Sequence, residues 1–172
     1  MADIYVLTNA NSTTLYDCLD SLYKFNYETT IIHGYTLFDN YKKNEIVFNS
    51  FRDKILPLAI ENNRDIFFIE DDTIINEALP LPDTLADVSF IGYHGIRKDH
   101  IIGANIVYFN YNVLKYLKCD MDKSRSQHFD MYISKFVRRQ AIEYKIVECY
   151  DWSEKKHDSL NVNGIRYHKR VI

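Results

Sequence analysis

The chain has 172 residues, 47% of them hydrophobic and 26% charged, a balance that suits one packed globular domain. Its formal net charge of −3 argues against binding nucleic acid through bulk charge, although a local basic patch stays compatible with it. No segment reaches the roughly 20 apolar residues that span a bilayer, and Met1-Ala2-Asp3 opens no signal peptide.

A cytoplasmic location is therefore expected, which in a viral protein means the host cytoplasm. The three cysteines, Cys18, Cys119 and Cys149, are odd in number and far apart, so reduced thiols fit that expectation. Aromatic content is high, with 14 Tyr and 10 Phe. Tyrosines with a polar tip suit grooves that hold rings or sugars, while ordinary core and rim positions account for most of them.

In chain order, Asp3–Thr8 is an apolar run that ends at Asn9-Ala10-Asn11, a first strand and its exit loop. Ser12-Thr13-Thr14 supplies caps for a helix with Leu15, Cys18, Leu19, Leu22 and Phe25 at helical spacing. Residues 29–33 form a second strand, stopped by Gly34. A helix is predicted over 45–62, bent or split by Pro57. Residues 66–69 then form a third strand. This strand–helix–strand–helix–strand order predicts right-handed crossovers and a parallel core. Ligands of such sheets sit beyond the carboxyl ends of the strands.

The pattern changes after Pro80-Leu81-Pro82. Strands are predicted over 88–93 and 101–109, joined by the polar link Gly95-Ile96-Arg97-Lys98-Asp99-His100. A helix near 113–117, a basic loop Lys123-Ser124-Arg125-Ser126, a helix over about 128–141 and a last strand over 144–149 follow. The remainder, 151–172, is polar and expected to be irregular.

The third strand carries the most informative run. Ile66-Phe67-Phe68-Ile69 leads directly into Glu70-Asp71-Asp72. Carboxylates at the tip of a buried strand repel one another and must be dehydrated, which a cation relieves. Alternation along a strand puts Glu70 and Asp72 on one face and Asp71 on the other. The pair Glu70 and Asp72 is thus placed to converge on one divalent ion, and hard oxygen ligands favour Mn²⁺ or Mg²⁺. A solvated acidic turn is the simpler alternative.

With this motif in place, the chain resembles a GT-A glycosyltransferase, and in particular the small family of lipopolysaccharide and collagen galactosyltransferases. Members carry an apolar strand running into Glu-Asp-Asp, as Ile66 to Asp72 does here. Gly103-Ala104-Asn105-Ile106-Val107-Tyr108 resembles a Gly-Ala strand of that family, and His128-Phe129-Asp130-Met131-Tyr132-Ile133 a later helix start bearing an Asp. Asn49-Ser50-Phe51 stands where the family has Ser-His, so the role of that histidine has no counterpart here. The resemblance implies a single α/β domain with a GT-A-like (Rossmann-like) mixed sheet, mostly parallel at its core and flanked by helices. It implies a nucleotide-binding half over 1–75, an acceptor half over 86–150 and an irregular tail over 151–172.

The resemblance also implies roles. The activity would be metal-dependent transfer of a sugar from a nucleotide-sugar donor to an acceptor hydroxyl. Asp72 is the first metal ligand, with Glu70 binding through water or holding a donor hydroxyl, and Asp71 positioning the loop or touching the sugar. Asp130 is the general base, which implies inversion, against the plainer reading of a first-turn acid favoured by the helix dipole. His157, or less so His168, is a late histidine closing on the metal, against a solvated tail histidine.

Thr8 and Asn9 are expected near the nucleobase or ribose. Asp39 reads a base or ribose edge, or simply forms a turn. The basic set Lys123, Arg125, Arg138, Arg139, Arg166, Lys169 and Arg170 meets either the donor diphosphate or a phosphodiester acceptor, Arg138 being the donor-side choice, or else forms a solvated face.

The expected acceptor is a glycan or a hydroxymethylated base in phage DNA. A chain this short calls for a minimal acceptor site, or one completed by a partner or oligomer. The alternatives are a non-catalytic nucleotide-sugar-binding module and a metal-dependent phosphohydrolase. The latter usually carries its acids after the first strand, and here they follow the third.

Overall fold

Apolar residues on both faces of a strand require cover on both sides, and strands 1 and 3 of this chain have them. In the computed structural model, which describes residues 1–9, 12–91, 95–97, 100–102, 106–147, 159–162 and 165–168, that demand is met by helices on the two faces of one sheet. The chain opens with β1 (Asp3–Thr8), α1 (Leu15–Tyr23) and β2 (Thr30–His33). A long helical passage follows: α2 (Lys43–Ser50), a π-helical turn (Phe51–Ile55) and α3 (Leu56–Asn62). Strands β3 (Ile66–Glu70), β4 (Thr73–Ile75) and β5 (Val88–Ile91) come next. A hairpin of β6 (Gly95–Arg97) and β7 (His100–Ile102) precedes β8 (Ile106–Phe109). Then come α4 (Tyr111–Lys123), α5 (Phe129–Arg139), β9 (Tyr144–Val147), β10 (Ser159–Val162) and β11 (Ile165–His168).

Six strands form the main sheet in the order β2-β1-β3-β8-β5-β9. β1 runs parallel to β2 and β3, β8 is antiparallel to both β3 and β5, and β5 is parallel to β9. Every strand except β8 therefore runs the same way. The fold is a mixed, mostly parallel α/β sheet in a single domain, as the resemblance implies.

The strand period sorts the core into two layers. Tyr5, Leu7, Ile66, Phe68, Val107 and Phe109 pack with α2, α3, α4 and α5 on one face. Ile4, Val6, Phe67, Ile69, Ile106 and Tyr108 pack with Cys18, Leu19 and Leu22 of α1 on the other. β2 and β3 flank β1 on opposite sides, and the helices leading to them lie on opposite faces. The exits of β1 and β2 thus lead to helices on opposite faces, and the acidic run leaves the carboxyl end of β3, the edge at which open α/β sheets bind ligands.

Several expectations change in detail. The bend or split expected at Pro57 takes the form of a π-helical turn between α2 and α3, just ahead of the proline. In that turn the Leu56 N–H reaches back to the Phe51 carbonyl, so the missing proline donor is absorbed there. The polar link after β5 contains the β6–β7 hairpin; β9 covers Tyr144–Val147, and residues 148–149 of the expected strand lie outside the described residues. The irregular ending expected over 151–172 is overturned in part: β10 and β11 form a hairpin whose second strand pairs antiparallel with β4, Ile165 opposite Ile75. The two strands, Ser159–Val162 and Ile165–His168, alternate apolar and polar residues but carry only two apolar residues each, too few to read as strands inside a polar stretch. Thr14 precedes α1 as expected, yet its hydroxyl does not cap the helix. Among the described residues, no helix is long and apolar enough to cross a membrane.

Candidate functional site

Strand β3 delivers its carboxylates at a fixed register. Leu7 of β1 lies opposite Glu70, and the Asp71 N–H donates to the Leu7 carbonyl at 3.0 Å. The Thr14 hydroxyl donates to the Asp71 carbonyl at 2.8 Å, and the Cys18 thiol to the Glu70 carbonyl at 3.9 Å. β1, the residue before α1 and α1 itself thus hold the backbone of the acidic turn. Because Ile66 and Phe68 face the α2–α5 layer, Glu70 and Asp72 emerge on that side and Asp71 on the α1 side.

Glu70 and Asp72 form part of a cleft of about 240 Å³, with Lys43, Asn44 and Val47 of α2 on one wall and His128, Phe129 and Asp130 at the start of α5 on the other. Aromatic packing sets the second wall. The Phe129 ring lies 4.9 Å from that of Phe51 and 5.1 Å from that of Phe68, and Phe51 lies 5.0 Å from Phe68. This nest clamps the first turn of α5 against β3 and the π-helical turn. It carries Asp130, the next residue, to the cleft.

The electrostatics are unfavourable for bare carboxylates. Burial, then the charge of Asp71, and to a smaller degree that of Asp130, push the Asp72 carboxyl up to about 7. A backbone hydrogen bond offsets only part of this. Burial also pushes the Cys18 thiol far up, with Asp71 and Asp72 adding to the effect. Asp71 is itself buried, and its Oδ2 has no hydrogen-bond partner among the described residues.

The donor set fits a hard divalent cation. Mg²⁺ and Mn²⁺ sites are commonly built from one or two carboxylates completed by substrate phosphates and water. Glu70 and Asp72 supply such a pair, and the raised Asp72 carboxyl is the group a cation would return to its charged form. Among the described residues no group of three or more acidic, histidine or cysteine side chains forms a ready-made cage.

The other sequence candidates are scattered. Thr8 is buried at the end of β1, its carbonyl accepting the Gly34 N–H at 2.8 Å, and Asn9 is exposed beyond it. Neither lines the cleft. Asp39 closes a capping box instead: its Oδ2 accepts from the Thr36 N–H at 2.7 Å and the Thr36 hydroxyl at 3.1 Å. These bonds hold its carboxyl below the usual range, the backbone bond most of all. The turn reading of Asp39 is the one the geometry favours.

Arg138 sits in the last turn of α5, on the order of 12 Å along the helix from Asp130 and outside the cleft. Its neighbour Arg139 pairs with Asp120 at 2.6 Å. His157, Lys169 and Arg170 lie outside the described residues, and His168 ends β11 opposite Ser159.

Lys43, Asn44 and His128 were not singled out by sequence reasoning. The expected helix began at residue 45, whereas α2 begins at Lys43, so the two residues at its first turn were assigned to the preceding loop. The signal available was Glu45 in a first turn, which is compatible with either start.

No family model and no curated protein matches the chain. Solved structures do. A glycosyltransferase involved in the glycosylation of the major capsid of PBCV-1 superposes with a TM-score of 0.59 at 12% identity, over 86% of this chain and 83% of that one. A197 from STIV gives 0.58 at 11% identity, over 100% and 96%. A protein proposed to be a glucose-1-phosphate thymidylyltransferase from Bacillus anthracis, in complex with sucrose, gives 0.53 at 10% identity, over 86% and 87%. The fold is GT-A-like.

Proposed function

We propose that the chain is a nucleotide-sugar-dependent glycosyltransferase, and that its chemistry takes place in the cleft between Asp72 and Asp130. The observation that carries this reading is the meeting of a buried strand-end carboxylate, whose ionisation the site disfavours, with a second carboxylate from α5, at the carboxyl edge of the sheet. The likeness in fold to a glycosyltransferase involved in capsid glycosylation and to a protein proposed to be a glucose-1-phosphate thymidylyltransferase supports it. So does the resemblance of the Glu70-Asp71-Asp72 strand to the galactosyltransferase family. A cleft of about 240 Å³ lies below the roughly 300–1,000 Å³ typical of whole small-molecule sites, which suits the reacting end of a donor rather than all of it.

In this reading Asp72, supported by Glu70, would hold a Mn²⁺ or Mg²⁺ ion, which when bound would supply positive charge to offset a diphosphate leaving group. Asp71 stays with α1 and fixes the turn. Asp130 accepts the proton of the acceptor hydroxyl as its oxygen bonds to the anomeric carbon. The anomeric carbon–oxygen bond breaks with its electron pair moving to the β-phosphate, and a nucleoside diphosphate leaves. Attack opposite the leaving group inverts the anomeric centre. The acceptor is a hydroxyl of a glycan or of a hydroxymethylated base in DNA.

The test is thermal shift against a panel of nucleotide sugars with and without Mn²⁺, followed by transfer assays on both acceptor classes. Metal-dependent stabilisation by one donor is expected, and so is loss of transfer in Asp130→Asn with donor binding kept. Absence of stabilisation by every donor overturns the transferase reading. Full transfer by Asp130→Asn removes the base assignment.

A further inference from the structure

A second and larger hollow, of about 640 Å³, opens between α1 and β4 and shares no lining residue with the cleft. Its size falls within the roughly 300–1,000 Å³ typical of small-molecule sites. Helical spacing builds one wall. Asp17, Asp20, Ser21 and Lys24 recur at i, i+3, i+4 and i+7 and so share one face of α1 and its cap. Tyr23 adds a ring that is 50% exposed. Ile74 of β4 and Asn76 just beyond it form the other wall. The buried Ser21 hydroxyl ties the two together, accepting the Ile75 N–H at 3.0 Å and donating to the Cys18 carbonyl at 2.7 Å. The groove is thus formed before any ligand arrives, which lowers the cost of binding.

The chemistry of the lining narrows the ligand. Ionised Asp17 and Asp20 only accept hydrogen bonds, Lys24 only donates, and Asn76 and the Tyr23 hydroxyl do both. Among the described residues, no side-chain hydrogen bond or ion pair occupies Asp17, Asp20, Lys24 or Asn76. A phosphate offers acceptors alone and would meet two carboxylates. A cationic peptide side chain offers donors alone and would meet Lys24. Groups that each donate and accept suit the whole set, and sugar hydroxyls do both. The half-exposed Tyr23 ring completes the match, with an apolar face for the C–H side of a sugar ring.

We propose that this groove is a glycan-holding site, separate from the cleft. Its existence needs nothing of the transferase reading; its use in the reaction rests on that reading, with a glycan as the acceptor. Ile74 follows Asp72 by two positions, so at most about 7 Å of chain separates the groove wall from the acidic turn. A long acceptor held at both places would gain affinity that a single sugar lacks.

The experiment titrates neutral gluco-, galacto- and manno-oligosaccharides of up to about six units into the full chain by isothermal titration calorimetry. It repeats the series with Tyr23→Ala, Tyr23→Phe and the double variant Asp17→Asn, Asp20→Asn. The replaced side chains are exposed, and melting temperature serves as the fold control. At least one series is expected to bind more tightly as its chain lengthens. Tyr23→Ala and the double variant should each weaken that binding about tenfold, while Tyr23→Phe keeps most of it. Absence of binding by every series, or binding that neither variant changes beyond about twofold, overturns the groove and leaves the transferase reading standing. Tighter binding of a polylysine peptide than of any sugar overturns it in favour of a basic protein partner. Tyr23-dependent sugar binding by a protein that no nucleotide sugar stabilises keeps the groove and removes the transferase reading. Where transfer to a glycan is observed, Tyr23→Ala should raise KM for the long acceptor and leave kcat and the single-sugar acceptor unchanged. An unchanged KM overturns the groove's part in the reaction.

Discussion

Asp72 and Asp130 share one cleft, and the charge of Asp130 contributes to raising the Asp72 carboxyl. One arrives from the end of β3 and the other from the first turn of α5, 58 positions apart in the sequence. The relationship makes the metal-free protein electrostatically uncomfortable at neutral pH. It gives the first prediction its direction.

The Asp72 carboxyl is held at about 7 when folded, against an ordinary unfolded value of about 3.9. The folded state therefore binds this proton more tightly than the unfolded one. The associated stability is fully present below about pH 4 and is lost as pH rises through about 7. The difference between the two states corresponds to about 4 kcal/mol. Asp72→Asn, which mimics the protonated form, should match the wild type in stability near pH 4 and exceed it by a few kcal/mol at pH 8 without metal. Urea unfolding at pH 4, 6 and 8 checks this. A gap that stays constant across the range would show that Asp72 does not titrate as described.

Phe129 joins the cleft wall to the core. Its ring contacts Phe51 and Phe68, and it is almost fully buried. Phe129→Ala should cost about 3–5 kcal/mol, the range for emptying a buried aromatic site. The same change should loosen the first turn of α5, so any transfer rate should fall even at temperatures where the variant stays folded. Circular dichroism melts together with single-turnover rates separate the two effects.

Much of this layout was legible in the residues. The run Ile66 to Ile69 was apolar on both faces, so a buried strand ending in acids followed from alternation alone. β1 was legible for the same reason, and β2, an exposed edge strand, from its short apolar pair Ile31-Ile32 stopped by Gly34. What stayed hidden depended on contacts between distant positions. Thr14 reads as a helix cap, but its hydroxyl is used by Asp71, 57 residues away. Arg138 reads as a phosphate ligand because it is a cation near a candidate site. Helical rise nevertheless carries it two turns from Asp130. The hairpin β10–β11 was missed because its partner β4 is three residues long and carries almost no pattern of its own.

Gly34 marks a close approach where β2 leaves the sheet. A Cβ placed there would stand 2.8 Å from Ser50 Oγ, 3.0 Å from Leu7 Cδ1 and 3.3 Å from the Thr8 carbonyl. Gly34→Ala should therefore destabilise by about 1–3 kcal/mol, as overpacking does. Adding Ser50→Ala should recover only part of this. It removes the nearest clash, but the Tyr35 N–H loses the acceptor it reaches at 2.9 Å. A double-mutant cycle by denaturant unfolding should show the two changes to be non-additive.

Thr14 is the residue through which the α1 side of the sheet reaches the acidic turn. Its hydroxyl donates to the Asp71 carbonyl at 2.8 Å in a buried setting. Thr14→Val keeps the shape and removes the donor, leaving a buried carbonyl with one fewer partner. The expected loss is about 1–3 kcal/mol. A second consequence separates anchoring from mere stability. The peptide that Thr14 holds is the one joining Asp71 to Asp72, so its release should let the Asp72 carboxylate wander from Glu70. Mn²⁺ affinity should then drop in Thr14→Val and return in Thr14→Ser, which restores the hydroxyl. Titration of Mn²⁺ by its electron paramagnetic resonance signal at a temperature where all three proteins are folded reads this directly. Equal affinities in the three would show that the turn is held without Thr14, by the β1 pairing of Asp71 with Leu7 and the Cys18 contact to Glu70.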